Sequence, residues 1–325
     1  MSGARAPVAV VVVTWNSSRW VVDCLESLRA LERPPAEVVV VDGGSADDTL
    51  HVVRARFPEV EVVECAANVG FCRGNNLGIA RTSSPFVLFL NPDTRLTPRF
   101  LEELLPAFEQ PGVGMAAGKL LRLDGRKIDS AGQELARSRQ PRDRGYGRPD
   151  DGRFDADGEV FGACGAAALC RRAMLSAVAG EGGQVFDERY FAFYEDLDLA
   201  WRARRAGWRA LYHHRAVGYH ARGATAADRP PGRWRALLGR SAEVRFHVVK
   251  NRYLTILKND TPRDYLANLP FILGRDAALL VLLLATSPGV LLRLWRERGI
   301  FRRALEARRL DAARARHHVQ PGAGP

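Results

Sequence analysis

The chain has 325 residues, of which 46% are hydrophobic and 26% charged, a balance typical of a globular protein with a large buried core. Its net charge is +11, and residues 228–325, with 19 Lys and Arg against 8 Asp and Glu, carry the whole excess. The five cysteines are scattered and form no CxxC pair, which argues against a disulfide framework or a structural zinc site. We therefore expect reduced thiols and a cytoplasmic protein.

The first 116 residues alternate apolar runs with helical segments. The continuous apolar run at 8–13 predicts a strand that is buried on both faces. The mainly apolar segments 37–41, 60–63 and 86–90 predict three further strands. The first run has the length of a strand rather than of the apolar core of a signal peptide, so we expect no signal peptide. Strands that alternate with helices pair in parallel through right-handed crossovers. The pattern predicts an α/β fold with a mostly parallel, Rossmann-like sheet flanked by helices.

Polar residues follow three of these apolar runs. Thr14, Trp15 and Asn16 follow the first run, Asp42 the second and Asp93 the fourth, while a Gly- and Asn-rich loop at 68–76 follows the third. Each residue alone could be an ordinary turn residue. In parallel sheets, however, ligands bind beyond the carboxyl ends of the strands. Together these residues predict a binding site on one rim of the sheet.

Three carboxylates, Glu195, Asp196 and Asp198, lie within four residues after an aromatic run at 191–194. Acidic residues are favoured in the first turn of a helix, so this cluster could simply be a solvated helix start. A carboxylate beside aromatic rings that limit water could instead act as a general base. The spacing does not decide which of Glu195 and Asp196 would do so.

The remainder of the first 227 residues is less regular. Residues 117–160 are polar and weakly periodic, which predicts a partly structured insertion with a hairpin, or a mobile lid. The small apolar residues at 161–170 predict a strand that another group approaches closely. A short strand is expected at 208–212.

The composition changes after residue 227, where we place a domain boundary. A helix is predicted at 234–257, and the strongly apolar stretch 269–295 is interrupted at 275–276 and at 288–289. The uninterrupted run 277–285 is shorter than the roughly 20 residues that a membrane span needs. The segment therefore either packs on the preceding domain or lies on a membrane surface as an amphipathic anchor.

Five motifs occur in order along the chain and resemble the signatures of family-2 inverting glycosyltransferases, most closely the rhamnosyltransferase-like branch. They are VVVVTWN, VVVVDGGSADDT, NVGFCRGNN, FLNPDT and FYEDLDLAWR, and the resemblance runs from about residue 8 to 225. It implies a GT-A fold, with a nucleotide-sugar half at about 1–116, an acceptor half at about 117–227 and a helical C-terminal segment at 228–325.

The resemblance also implies a reaction. A sugar, with rhamnose suggested by the branch, would pass from a nucleoside-diphosphate donor to a hydroxyl of a glycan or polyprenyl-linked glycan, with inversion at the anomeric carbon. The pathway would be cell-surface polysaccharide biosynthesis.

Site residues follow from the same resemblance. Thr14 and Asp42 would line the nucleoside pocket, Asp93 would hold a divalent cation, Mg²⁺ or Mn²⁺, and the diphosphate, and Asp196 would be the base. His220 matches a late His-x-x-Gly-x-Ser/Thr pattern and is a candidate metal or diphosphate ligand, although a lone histidine is more often structural. The remaining candidate substrate-binding residues are Trp15, Asn16, Asn68, Gly70, Asn76, Glu195 and Arg202.

The chain departs from the family pattern in three places. The metal motif holds one acid, Asp93, where many relatives have Asp-x-Asp. Gly43 stands where Asn is common, and Cys72 and Arg73 stand where small residues are more usual.

Parts of the sequence are compatible with two other functions. A nucleotidyltransferase would carry a Gly-rich basic loop after the first strand, where this chain has Trp-Asn-Ser-Ser. A binding protein could act through its basic tail alone, with a non-catalytic α/β domain. The tail lacks the aromatic platform expected for single-stranded nucleic acid. Because it is apolar as well as basic, we expect it to meet the inner face of the plasma membrane and to bind no nucleic acid.

Overall fold

The computed structural model describes residues 5–222, 237–306 and 308. The predicted domain boundary at 227/228 lies outside these residues, as do Gly223 and Thr225 of the pattern that begins at His220. A ten-stranded sheet forms the centre of the described chain.

The N-terminal half alternates strands with helices, as predicted. The strands are β1 (Ala6–Thr14), β2 (Pro35–Asp42), β3 (Glu61–Glu64) and β4 (Phe86–Leu90), and the helices are α1 (Ser18–Arg29), α2 (Thr49–Arg56) and α3 (Gly70–Ile79). The strands pair in parallel in the order β3-β2-β1-β4. Val10, Val11 and Val12 of β1 are fully buried because packed elements cover both faces of the sheet.

The second half adds strands in both directions. They are β5 (Thr94–Leu96), β6 (Val113–Arg122), β7 (Ile128–Ser130), β8 (Gln133–Leu135), β9 (Pro141–Asp143), β10 (Gly158–Val160), β11 (Ala167–Arg171) and β12 (Arg209–His220). The helices are α4 (Phe100–Leu104), α5 (Arg172–Ala177) and α6 (Glu195–Arg205). β11 lies antiparallel between β4 and β6, and β12 runs parallel to β6. The predicted mostly parallel sheet flanked by helices is confirmed.

Three local predictions differ from the structure. The stretch predicted as a loop at 68–76 becomes helical at Gly70, where α3 begins. Residues 117–160 contain more strand than predicted, because β6 extends to Arg122 and β7 to β10 follow it; of the two predicted alternatives, the partly structured insertion with a hairpin, β8–β9, is the one observed. The strand expected at 161–170 begins only at Ala167, because Gly162 and Gly165 before it lie against α6. A Cβ on Gly162 would stand 2.4 Å from the Cβ of Ala200.

The C-terminal segment is helical. It contains α7 (Ala242–Asn259), α8 (Pro262–Ala267), α9 (Leu269–Thr286) and α10 (Pro288–Arg296), and residues 299–306 are also helical. The break between α9 and α10 falls at Ser287, next to the proline and glycine that predicted it.

Two of these helices have opposite surroundings. α7 packs on α6 with buried polar side chains, so packing on the preceding domain, one of the two predicted alternatives, is observed for this helix. α9 is long and apolar enough to cross a membrane by length and composition, yet only 17% of it is buried.

Candidate functional site

The carboxyl ends of β1 and β2 are joined by Thr14 and Asp42, both fully buried. The hydroxyl of Thr14 donates to Asp42 Oδ1 at 2.8 Å. Ser45, in the loop after β2, donates to the same carboxylate through its backbone N–H at 2.8 Å and its hydroxyl at 2.6 Å. Asp42 is therefore held in one orientation at the rim of the sheet, beside the first turn of the loop that follows it.

Asn16 connects the loops after β1 and β2. Its φ of 49° is left-handed, a conformation that asparagine tolerates better than most residues. Its backbone N–H donates to Ser45 Oγ and its side-chain oxygen accepts the N–H of Ala46, both at 2.8 Å. The neighbouring Trp15 is 56% exposed at the same rim. An exposed ring beside a fixed polar pocket offers a stacking surface for a flat ligand.

The Gly- and Asn-rich motif forms the start of α3. Asn68 Oδ1 accepts the N–H of Gly70 at 2.9 Å. Gly70 has a φ of 75°, and a Cβ on it would lie 2.6 Å from the ring of Phe191, so only glycine fits. Asn76 faces another way, because its amide pairs with the backbone N–H and C=O of Phe186 at 2.9 and 2.8 Å. Gly70 and Asn76 thus fasten this motif to the segment that precedes α6.

A chain of alternating charges begins at Asp93, in the turn between β4 and β5. Asp93 Oδ1 lies 3.2 Å from His220 Nε2, and His220 Nδ1 lies 2.8 Å from Asp129 Oδ2. Arg222 Nε donates to Asp129 at 2.5 Å, and its Nη2 donates to Asp143 at 2.6 Å. Burial alone would lower the pKa of His220, but the hydrogen bonds to Asp129 and Asp93 outweigh it and raise that pKa to about 9.

The pair of Asp93 and His220 fits a divalent cation once the ring gives up its Nε2 proton, which the raised pKa of His220 otherwise retains at neutral pH. With Nδ1 of His220 donating to Asp129, Nε2 is the nitrogen that faces Asp93, and metal-bound histidines usually donate their other N–H in this way. Across the described ranges 5–222 and 237–306, His, Cys, Asp and Glu side chains form no group of three or more placed to hold a metal. A cation here would therefore complete its shell with diphosphate oxygens and water, as Mg²⁺ commonly does.

The opposite side of the site is the start of α6. Asp196 Oδ2 accepts the side-chain N–H of Gln133 at 2.7 Å and the backbone N–H of Gly165 at 3.0 Å, while Oδ1 accepts the N–H of Leu197 at 2.8 Å. Burial raises the pKa of Asp196, and the N–H of Gly165 opposes that rise. Three N–H donors stabilise the ionised form of this half-buried carboxylate.

Glu195 has different surroundings. It is 8% exposed, and its Oε2 is buried without a hydrogen-bond partner among the described residues. Burial, and then the charges of Asp196 and Asp198, raise its pKa well above the usual range. A buried carboxyl oxygen without a hydrogen-bond partner disfavours the ionised form, because a charge there is poorly solvated. Of the adjacent acids, Asp196 is the one equipped to carry a charge.

One short stretch of backbone connects the two acids of the site. The N–H of Gly165 binds Asp196, and the carbonyl of the next residue, Ala166, accepts the N–H of Asn91 at 3.0 Å. Asn91 lies two residues before Asp93 in the same turn. Asp93 and Asp196 therefore flank a common loop that leads into β11, although 103 positions separate them in the sequence.

Arg202 is the candidate substrate-binding residue whose surroundings favour that role least. Its Nε donates to Asp198 at 2.9 Å, and its other donors reach the backbone carbonyls of Val178 and Val185 at 2.5 and 2.7 Å. Its side chain is 11% exposed. These contacts give Arg202 a structural task in fixing α6.

Sequence reasoning missed several residues of the site. Gln133 and Asp129 lie in the stretch predicted as an irregular insertion, and Asn251 lies in the C-terminal segment. Each forms a hydrogen bond with a residue at least 58 positions away in the sequence; Gln133 and Asp196, for example, are 63 positions apart. Periodicity and motif spacing carry no signal over such separations.

A family model described as Glycosyl transferase family 2 matches residues 9–178, somewhat more than half of the chain. The chain belongs to this family. The N-acetylglucosaminyl-diphospho-decaprenol L-rhamnosyltransferase of Mycobacterium tuberculosis (strain ATCC 25618 / H37Rv) is 29% identical to this glycosyltransferase over 277 residues, which cover 70% of the chain and 87% of the relative. The resemblance to the rhamnosyltransferase-like branch is confirmed.

Solved structures confirm the GT-A fold of this glycosyltransferase. The mannosyltransferase PcManGT from Pyrobaculum calidifontis, in complex with GDP-Man and Mn²⁺, matches with a TM-score of 0.55 and 18% identity over 96% of this chain and 86% of its own. S. aureus TarS 1-349 in complex with UDP-GlcNAc matches with a TM-score of 0.52 and 19% identity over 82% of this chain and 70% of its own. The match to a longer TarS chain covers 43% of that chain.

The contact between Gln133 and Asp196 generates a prediction about pH. Gln133→Leu removes a donor from the carboxylate, so the ionised form loses stability and the pKa of Asp196 rises. We expect the acid limb of the pH profile of kcat/KM to move up by about one unit, with the largest loss of activity at low pH. Glu134→Ala, at the exposed neighbouring position, is the control and should leave the limb in place. An unshifted limb in Gln133→Leu would show that this hydrogen bond does not tune Asp196.

Proposed function

We propose that this protein is an inverting glycosyltransferase that moves a sugar from a nucleoside-diphosphate donor to a hydroxyl of a glycan or lipid-linked glycan. The observation that carries the proposal is the placement of the Asp93–His220 pair and the ionisable Asp196 on either side of the loop at Gly165 and Ala166. An inverting displacement needs such an arrangement, because the leaving group and the attacking hydroxyl lie on opposite faces of the sugar.

The residues divide the reaction between them. The nucleoside binds against the loops that Thr14 and Asp42 hold in place at the rim of the sheet, with the exposed ring of Trp15 beside it. Asp93 and His220 hold the divalent cation, Mg²⁺ or Mn²⁺, which neutralises the departing diphosphate when bound. Asp196 accepts the proton of the acceptor hydroxyl. At the same time the hydroxyl oxygen bonds to the anomeric carbon, and the bond between that carbon and the diphosphate oxygen breaks. Attack from the face opposite the diphosphate inverts the configuration.

The donor sugar and acceptor are proposed from the relatives. The M. tuberculosis relative is named as a rhamnosyltransferase that acts on a diphospho-decaprenol-linked sugar. We propose a rhamnose donor and a polyprenyl-linked acceptor for this chain, within cell-surface polysaccharide synthesis. A panel of dTDP-, UDP- and GDP-sugars, assayed for release of the nucleoside diphosphate, tests the donor.

Asp196→Asn tests the base. The amide keeps the size of the side chain but cannot take up a proton, so we expect transfer to fall by at least about 100-fold. Donor binding measured by calorimetry should stay within about threefold of wild type. Near-normal turnover by this variant would remove Asp196 from the chemistry.

Asp93→Ala tests the cation site. Loss of the carboxylate leaves His220 without its metal-binding partner, so we expect Mn²⁺-dependent binding of the donor nucleotide to be lost in calorimetry. Glu102→Ala, at a half-exposed position on α4, serves as the matched control for removing one negative charge. Unchanged Mn²⁺ dependence in Asp93→Ala would exclude Asp93 as a ligand.

We also propose that the C-terminal helices dock on an anionic membrane surface at the inner face of the plasma membrane. Nine of the twelve large exposed apolar side chains of the described residues lie within residues 266–305. On α9 only Ile272, Leu279 and Leu283 are buried, whereas Phe271, Leu273, Leu280, Val281 and Leu284 are exposed. Exposed arginines lie in the same segment, at Arg263, Arg296, Arg298, Arg302 and Arg303. Apolar and cationic side chains together suit an anionic lipid interface.

Flotation with phosphatidylglycerol-containing vesicles tests the docking surface. The triple variant Leu280→Ser, Val281→Ser and Leu284→Ser removes apolar area from the outward face of α9, so we expect the floating fraction to fall severalfold. The control is Leu123→Ser, at an exposed leucine of the preceding domain. Equal flotation of the triple variant and wild type would contradict the proposal.

A further inference from the structure

The segment that leads into the catalytic helix has an unusual backbone. Phe191, Phe193 and Tyr194 all have positive φ values, of 66°, 72° and 70°. Left-handed conformations are unfavourable for aromatic residues and persist only where surrounding contacts impose them. Tyr194 is followed directly by Glu195 and Asp196, so the path of this loop sets where α6 begins.

One side chain of the C-terminal segment binds three backbone carbonyls of this loop. Asn251, in the middle of α7, is fully buried. Its Nδ2 lies 2.9 Å from the carbonyl oxygen of Tyr190, 2.7 Å from that of Ala192 and 2.7 Å from that of Phe193. Two N–H groups thus serve three carbonyls, which a left-handed backbone turns toward one point. The amide supplies hydrogen-bond donors to carbonyls that have no donor within α6.

The same loop touches the donor side of the site. The carbonyl of Phe191 accepts the N–H of Cys72 in α3 at 3.0 Å, and its ring leaves no room for a Cβ on Gly70. The ring also stacks on His247, one turn before Asn251 on α7, with centroids 4.9 Å apart. Phe191 therefore contacts both the donor motif and the C-terminal helix.

We propose that Asn251 is a positioning residue for the transfer reaction, which sets the loop at 190–194 and through it both Asp196 and the donor motif at Gly70. The inference rests on the proposed function of Asp196. It assigns a role in catalysis to the C-terminal segment, which lies outside residues 9–178, the part of the chain that the family model matches. Asn251 touches only backbone of this loop, so it acts through other residues rather than on the substrate.

A matched pair of variants separates positioning from general stability. Asn259 lies two turns further along α7, is also buried, and donates to Asp198 at 2.8 Å without contacting the loop. We expect Asn251→Ala and Asn259→Ala to lower the Tm to a similar extent. At a temperature where both are folded, Asn251→Ala should lower kcat roughly 10- to 100-fold, since small misplacements of a catalytic group have effects of this size. Asn259→Ala should keep kcat within about twofold of wild type, because Lys258, Arg202 and Tyr190 still bind Asp198 in this variant.

Hydrogen exchange provides a readout that does not depend on activity. Peptides that cover residues 188–197 and 68–76 should exchange faster in Asn251→Ala than in Asn259→Ala, because the clamp on the loop is lost only in the former. If wild-type protein shows no transfer with any donor, the proposed function fails, while faster exchange in Asn251→Ala would still establish the clamp.

Two results would overturn the positioning role. One is a folded Asn251→Ala with wild-type kcat; the other is equal exchange of the loop in both variants. Should Asn251→Ala not fold, Asn251→Ser retains one donor and is expected to give an intermediate kcat. Wild-type kcat in folded Asn251→Ser would then count against the proposal.

Discussion

The arrangement of the site depends on one fully buried carboxylate, Asp198. Burial would raise its pKa, but the charges of Lys258 and Arg202 outweigh burial and lower it, so the group stays ionised. Lys258 Nζ lies 3.0 Å away, and Tyr190 and Asn259 complete its hydrogen bonds. Removing one partner of a buried ion pair costs about 3–5 kcal/mol, because the other charge is left uncompensated. This constraint locks α6 to α7 and fixes the direction in which the first turn of α6 points.

The three acids of α6 consequently have three different states within four residues. Asp198 is ionised and saturated with partners inside the protein, which makes it structural. Glu195 is buried without a partner for Oε2 among the described residues, and burial raises its pKa well above the usual range. Asp196 alone is half-buried, supplied with N–H donors and placed beside the loop that leads to Asp93. An acidic helix start and a carboxylate with the surroundings of a general base are therefore both present here, in neighbouring positions.

Local features of the site could be predicted from the sequence, whereas its supports could not. The strand ends at Thr14, Asp42 and Asp93 follow from apolar runs that stop at polar residues, a pattern contained in a few positions of sequence. Gln133 and Asn251 have no local pattern, since an amide that serves a distant backbone or carboxylate resembles any other polar residue. Arg202 illustrates the converse, because its motif suggested substrate binding while its donors bind Val178 and Val185 inside the protein.

The C-terminal segment has the features of both alternatives that the sequence presented, packing on the preceding domain and an apolar surface suited to a membrane. One face of α7 is polar and buried against the catalytic helix, through Asn251, Thr255, Lys258 and Asn259. The apolar α9 is tied to α7 by the ion pair between Arg252 and Asp276, at 2.8 Å, and presents leucines outward. The inward-packing helix α7 is therefore bonded to α9, whose exposed face is suited to a lipid surface. Docking of α9 on a membrane would fix the orientation of the site relative to the bilayer, because α7 contacts both α9 and the loop before Asp196.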